Sequence, residues 1–497
     1  MRPGRLGIGS LSLLLPAFTN AMLAQNVPVL TASDVQAVVA ASASSVDSES
    51  LDIAVTDRQG NILAVFHKHA VPDRVAGNFG FDTATDDLAV GLARTASFFS
   101  NNQAPLSSRT IRFISASHFP PNIAFTSSGP LYGIENTNRG CPLNVSFLDG
   151  QSLPPATAID GISPGVGVVT GKKDLTDGDP FAVNPGGVPL FKQGVLVGGV
   201  GVAGSAPAIA EFAAYSGATG AGFGAAPAAP GVVVINGISL PFVNQTSRPP
   251  GTGTGTFDGT FVVAPADSPG PPPEGYLAGP SPAPLGGMSA ADVDQVIKAV
   301  VQQGNQTRAV IRLPDGSRAR FAIAVADLDG NIVGLYRMPD STMFSVDVAV
   351  AKSRNVIYFS GNRDPSDLVG VPSSTAVTNR TIGFGAQPFY PPGINYTSPG
   401  PFFDLYRFDA LNPCTQGRQP ANPNQNGVVF FPGSAPLYRN GVLVGGLGVS
   451  GDGVDQDDFV AAAGAAAFNA PANMRADQLM VRGQRLPYWK FPRNPTF

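Results

Sequence analysis

Pro189-Leu-Phe-Lys-Gln-Gly194-Val-Leu-Val-Gly-Gly199 and Pro436-Leu-Tyr-Arg-Asn-Gly441-Val-Leu-Val-Gly-Gly446 spell nearly the same segment twice in one chain. Each reads as a β-hairpin whose glycines let a helix or ligand approach the sheet closely. Working outward, other blocks recur in the same order, which marks an internal duplication. Leu30-Thr-Ala-Ser-Asp34 pairs with Met288-Ser-Ala-Ala-Asp292, and Ile53-Ala-Val-Thr-Asp57-Arg-Gln-Gly60-Asn61 with Ile323-Ala-Val-Ala-Asp327-Leu-Asp-Gly330-Asn331. Ala89-Val-Gly-Leu-Ala-Arg94 answers Ala349-Val-Ala-Lys-Ser-Arg354, Arg109-Thr-Ile111 answers Arg380-Thr-Ile382, and Asn236-Gly-Ile-Ser-Leu-Pro241 answers Arg482-Gly-Gln-Arg-Leu-Pro487.

Each copy therefore predicts helix, hairpin, helix, hairpin, helix. Ser33 or Asp34 and Ser289 are expected N-caps, and helices are expected over 86–99 and 346–359, with last helices over 206–215 and 456–468. An antiparallel sheet carrying packed helices follows, the α+β class. The expected domains are 25–250 and 288–497. Between them, 251–287 is dense in Gly, Pro, Ser and Thr and reads as a linker, semi-rigid where proline dominates. Residues 1–24 combine a basic start, a short apolar run and small residues, the grammar of a cleaved export signal. A secreted or periplasmic protein is expected.

Composition narrows the function classes. Among 497 residues, 59 are Gly and 47 Pro, only 13% are charged and the net charge is -4. No basic field attracts nucleic acid, and after the first residues no apolar stretch is long enough for a membrane span.

Taken together, these blocks resemble the GlcG/HbpS family of heme-binding proteins, most closely at Gly448-Val-Ser-Gly451-Asp-Gly-Val-Asp-Gln-Asp457-Asp458. The resemblance covers the core of both halves, and leaves out the long insertions near 122–183 and 393–430. It implies profilin-like or sensor-like domains with a central antiparallel sheet, and heme as a ligand.

Heme iron needs a His, Met, Cys or Tyr donor in an apolar slot, with cations for its propionates. The three histidines, His67, His69 and His118, all lie in the first copy. His67 and His69 leave the first hairpin two residues apart and would face one side of an extended strand, as a metal-binding pair or as a solvated strand end. The second copy holds Arg337 and Pro339 at these places, so two symmetric heme sites are not expected. His118 aligns with Phe389 and either ligates or fills a turn. Arg94, Arg109, Arg354 and Arg380 offer guanidinium groups for carboxylates, of a ligand or of structural ion pairs. Cys141 and Cys414 fall at matching places in the two insertions, either as free thiols or as a disulfide joining the copies across a pseudo-dyad. The acidic runs at 174–179 and 452–458 lack the full ligand spacing of an EF-hand, and the second suits a helix N-terminus.

The functional expectation is an exported binding protein, non-catalytic, that takes heme or a similar planar ligand in a pocket beside the sheet. The duplicated halves would act as an intramolecular pseudo-dimer, open to homo-oligomerisation. The alternative is an extracellular structural or interaction module without cofactor. An enzyme acting on small oxidised metabolites is a third reading that no residue supports.

Overall fold

A computed structural model of the chain describes residues 27–145, 156–176, 184–225 and 233–496. The expected export signal lies outside the described residues. In the first half, β1 (Asp52–Asp57) and β2 (Ile62–His67) form one hairpin, and β3 (Gly187–Lys192) and β4 (Val195–Ala203) the other. In the second, β7 (Phe321–Ala326) with β8 (Ile332–Arg337) and β9 (Ser434–Arg439) with β10 (Val442–Gly451) repeat the pattern. The α+β expectation holds, with two five-stranded antiparallel sheets and helices packed on both.

The fifth strands come from within 251–287. Residues Thr260–Val263 (β5) pair with β2, and Gly275–Ala278 (β6) pair with β8. The orders are β3-β4-β1-β2-β5 and β6-β8-β7-β10-β9, so one arrangement occurs twice. Thr-Phe-Val-Val and Gly-Tyr-Leu-Ala are short β-rich runs, and edge strands tolerate the proline around them. The connecting segment thus closes one edge of each sheet.

The glycines of the duplicated hairpin have a steric purpose. Helix α2 (Thr85–Phe99) lies on β4 and helix α6 (Phe344–Ser360) on β10, so closely that side chains do not fit between. A Cβ at Gly201 would lie 1.9 Å from the Ala89 carbonyl oxygen, and one at Gly448 2.0 Å from that of Ala349. On the opposite faces, α1 (Ala32–Ser44) packs with α4 (Pro207–Gly220), and α5 (Ala290–Gly304) with α9 (Val454–Gly464). Ser289 caps α5 as expected, but α1 starts earlier. Thr31 is its cap, with the Asp34 amide donating to Thr31 and the Thr31 amide to Asp34 Oδ2 at 2.8 Å. This reciprocal capping box satisfies two otherwise unpaired donors.

Helices α3 (Ser108–Ile114) and α7 (Asn379–Gly385) repeat a second capping box, while α8 (Phe403–Leu411) is a helix of the second insertion. The halves share one core, in which Phe99 stacks on Phe344 with centroids 4.0 Å apart and Ile111, Leu131, Val348 and Phe431 surround them. Repeat-equivalent residues meet each other at the junction. His118 stacks on Phe389 at 5.7 Å, Phe125 packs against Tyr396 at 6.2 Å, and Cys141 is bonded to Cys414. Of the two readings of the cysteines, the disulfide is the one the structure contains. Residues that are equivalent in sequence can touch only near a two-fold axis, so these contacts locate the pseudo-dyad.

Candidate functional site

The four arginines serve the scaffold, in two matched pairs. Arg109 donates bidentately to Glu211 on α4 at 2.6 and 2.8 Å, and Arg380 bonds Asp458 and Asp455 on α9. Arg94 and Arg354 meet main-chain carbonyls: Nε donates to Gly60 O at 2.9 Å in one and to Gly330 O at 3.0 Å in the other. Arg354 also reaches Leu143 O of the other half at 2.5 Å. Both are buried, and loss of solvation lowers each to about 10. The acidic run of the second half is likewise spent on cations, since Asp452 meets Arg312 and Asp457 meets Lys352. Part of the first acidic run, 177–179, lies outside the described residues.

The histidines do not converge. His67, at the end of β2, places Nε2 2.7 Å from Asp86 Oδ1 and 3.5 Å from Asp52 Oδ2. The neighbouring Asp52 carboxylate, against the effect of burial, pushes the imidazole up to about 9, and burial raises Asp52 to about 7. His69 is exposed and faces Asp258 at 3.2 Å. His118 has both ring nitrogens engaged, Nδ1 with Thr126 O at 2.9 Å and Nε2 with Asn395 Nδ2 at 3.1 Å. Sequence reasoning found His67 but missed Asp52 and Asp86. Asp52 stands directly across the ladder from His67, a relation that appears only once the strand register is known.

Between the halves lies a cavity of about 580 Å³. Phe99, Leu106, Ile114 and Leu131 of the first half and Ile311, Phe344 and Phe431 of the second form its apolar walls. One end is polar. Asp457 and Ser450 line it, both buried, and neither Asp457 Oδ1 nor Ser450 Oγ has a hydrogen-bond partner. Asp457 Oδ2 accepts from Lys352 Nζ at 3.1 Å, and the ammonium lies 4.9 Å from the Phe431 ring centre. Burial raises the Asp457 carboxyl to about 7 and lowers the lysine. Arg308, Lys490 and Arg493 also line the cavity, together with Asp315 and Asp455; Arg308 pairs with Asp315 at 3.1 Å and Lys490 with Asp455 at 2.8 Å. A second, more open cavity of about 830 Å³ is lined by Phe79, Phe81, Pro401, Phe403, Arg407 and Arg482. Pro401 and Arg482 are the repeat equivalents of Pro130 and Asn236, which line the first cavity.

Residues 288–466 match a family of HbpS-like proteins. The family is described as haem degrading protein HbpS-like. The chain is also 26% identical over 182 residues to a corrinoid adenosyltransferase PduO of Salmonella typhimurium, and 28% over 163 residues to that of Citrobacter freundii. These stretches cover 37% and 33% of this chain, and 39% and 36% of the relatives, so the chain spans well under half of their length. Among solved structures, a PduOC:heme complex covers 36% of this chain and 94% of its own, at 22% identity and a TM-score of 0.24. The Klebsiella pneumoniae protein ORFY covers 36% of this chain and 88% of its own, at 18% identity and a TM-score of 0.23.

The HbpS-like segment supplies Ile311, Phe344, Phe431, Ser450 and Asp457 to the first cavity, and the first half supplies the opposite wall. The walls suit the flat apolar body of a heme, and Arg493 stands among the lining residues as a cation for its carboxylates. The donor set does not suit its iron. Among the described residues lining either cavity there is no His, Met, Cys or Tyr. His67, His69 and His118 lie elsewhere, and both cysteines are in the disulfide.

Proposed function

We propose that the protein binds a planar, apolar, carboxylate-bearing ligand of the heme class in the cavity between its halves. It holds the ligand by shape and charge rather than through a side chain on the metal. The observation that carries this reading is the cavity itself: apolar walls from both halves, two unpartnered buried oxygens in the lining, and Arg493 beside the Arg308–Asp315 and Lys490–Asp455 pairs. Its volume lies within the ordinary range of small-molecule pockets, about 300–1,000 Å³. The HbpS-like match of the segment that builds one wall supports the choice of ligand. The reading of residues 1–24 and the disulfide support a location outside the cytoplasm, checked by fractionating cells that produce the full chain.

Titration of the full chain with hemin and with metal-free protoporphyrin tests the reading. Comparable saturable binding of both is expected, with Leu131→Trp, which fills the cavity, weakening both by about tenfold or more. A flat titration with both ligands removes the proposal. Binding of hemin alone, with the spectrum of an iron carrying two protein ligands, also overturns it.

A second reading, an interaction module, is favoured by one surface feature. Ile123, Phe125, Ile394 and Tyr396 are exposed together at the pseudo-dyad, Tyr396 at 91%. Self-association through this patch is checked by sedimentation of the wild type against Phe125→Ser with Tyr396→Ser.

A further inference from the structure

The ligand cavity leaves one cluster of the first half unused. Asp52 opens β1 and lies opposite His67 in the β1–β2 ladder, so both side chains project from the same face of the sheet. Asp86, in the first turn of α2, comes down onto that face. One ligand atom from each of the three lies within 4.8 Å of the others. The two carboxylates approach one imidazole nitrogen, at 2.7 Å for Asp86 and 3.5 Å for Asp52.

Asp52 is fully buried, yet neither of its oxygens has a hydrogen-bond partner. A buried carboxylate without hydrogen bonds is costly unless a cation stands beside it. The second half shows how the same position is treated when that charge is absent. Its equivalents of Asp52, His67 and Asp86 are Ala322, Arg337 and Val346: neither acid is kept, and a permanent cation bonds main-chain carbonyls, among them Pro273 O at 3.1 Å, and faces Glu274 at 3.6 Å. The first half holds two acids around an imidazole, which is their cation only while it carries its proton; a metal ion bound there takes the place of that proton. Lys68, next in sequence, turns away to Thr256 O and Glu49.

We propose that Asp52, His67 and Asp86 form a site for one divalent transition-metal ion. A neutral imidazole and two carboxylates balance the ion's charge and match the mixed nitrogen and oxygen donors of zinc-type sites. Ligands about 2.0–2.2 Å from a zinc ion stand roughly 3.3 Å apart, so the His67–Asp52 spacing already fits and Asp86 needs to withdraw by under about 1 Å. His67 and Asp86 keep 29% and 24% of their side chains exposed, which gives the ion an entry path and leaves a coordination position for water. His69, exposed and paired with Asp258, takes no part.

The test uses the full chain, free of any histidine tag and stripped with EDTA, titrated calorimetrically with Zn²⁺ and followed by Co²⁺ absorption. One Zn²⁺ per chain is expected, together with Co²⁺ d–d bands that Zn²⁺ displaces. Asp86→Asn and His67→Gln should each weaken Zn²⁺ binding about tenfold or more, with His69→Ala leaving it unchanged. Circular dichroism checks that the variants fold, and if they do not, the Co²⁺ spectrum of the wild type decides. Absence of saturable binding overturns the site. So does binding that survives both substitutions in folded protein, or binding that His69→Ala abolishes. Because porphyrin binding is read separately, its failure leaves this result untouched.

Discussion

The cavity walled by Phe99, Leu131 and Phe344 and the one beside Phe79 and Phe403 share two repeat-equivalent positions, Pro130 with Pro401 and Asn236 with Arg482, and differ in the rest of their lining. The first cavity is lined by Asp457 of the second half, paired with the buried Lys352. At the same two places the first half has Leu92 and Ala210. Replacing a buried ion pair by apolar groups costs a fold little, whereas losing one partner costs much, so such a pair is expected to disappear as a unit. The first half carries its buried pair elsewhere, as Lys172 with Glu135, with the ammonium 4.8 Å from the Tyr132 ring centre. By contrast, other contacts that fix the helices are kept twice: Gly201 and Gly448 under α2 and α6, Arg109 with Glu211 and Arg380 with Asp458 between helices, Arg94 on Gly60 and Arg354 on Gly330. Duplication has conserved the scaffold and released the pockets.

The bond that ties the halves offers the largest test. Cys141→Ser with Cys414→Ser, across a sequence separation of 273, should remove up to about 5 kcal/mol from unfolding free energy, read by urea denaturation with and without reductant. Unchanged denaturation midpoints would mean that the shared core alone fixes the two halves. Next come the matched ion pairs. Arg109→Ala leaves Glu211 buried without its cation and Arg380→Ala does the same to Asp458, so each should cost about 3–5 kcal/mol. A large inequality between them would break the equivalence of the halves.

The junction should also show in pH. Asp409 on α8 is buried, accepts from Asn136 Nδ2 of the other half at 2.8 Å, and is raised by burial to about 6. Between about pH 4 and pH 6 the unfolded chain has lost this proton and the native state keeps it, so the group lowers stability as pH rises, by at most about 3 kcal/mol. Asp409→Asn should gain stability relative to wild type across that window, measured as the shift in urea midpoint between pH 4.5 and 6.5. A difference that stays constant would show that the carboxyl ionises normally. Smallest are Gly201→Ala and Gly448→Ala, at about 1–3 kcal/mol each, because the new methyl meets a carbonyl of the overlying helix. Equal shifts in thermal midpoint are expected, and unequal ones would show that one helix yields more readily.

The duplicated hairpins and helices were legible because their signals are local: turn glycines, alternating apolar runs, capping residues. The linker concealed two strands, since Thr260–Val263 and Gly275–Ala278 are four residues each and surrounded by proline. The arginines were legible as equivalents, but their partners sit about a hundred residues away in the case of Glu211, beyond any periodicity argument. The cavities arise where the insertions and the C-terminal tail meet the opposite half, and no spacing rule reaches that far. His67 was visible as a residue type, whereas its carboxylates needed the ladder register for Asp52 and the descent of α2 for Asp86.

The two short strands of the connector decide where this chain can be divided. Severing it near residue 250 would deprive β2 of its outer neighbour, and severing it near 287 would do the same to β8, each exposing a row of unpaired amides and carbonyls ready to recruit foreign strands. A break between 264 and 274 spares both borders, so the natural seam of the molecule runs through the middle of its connector rather than at either end.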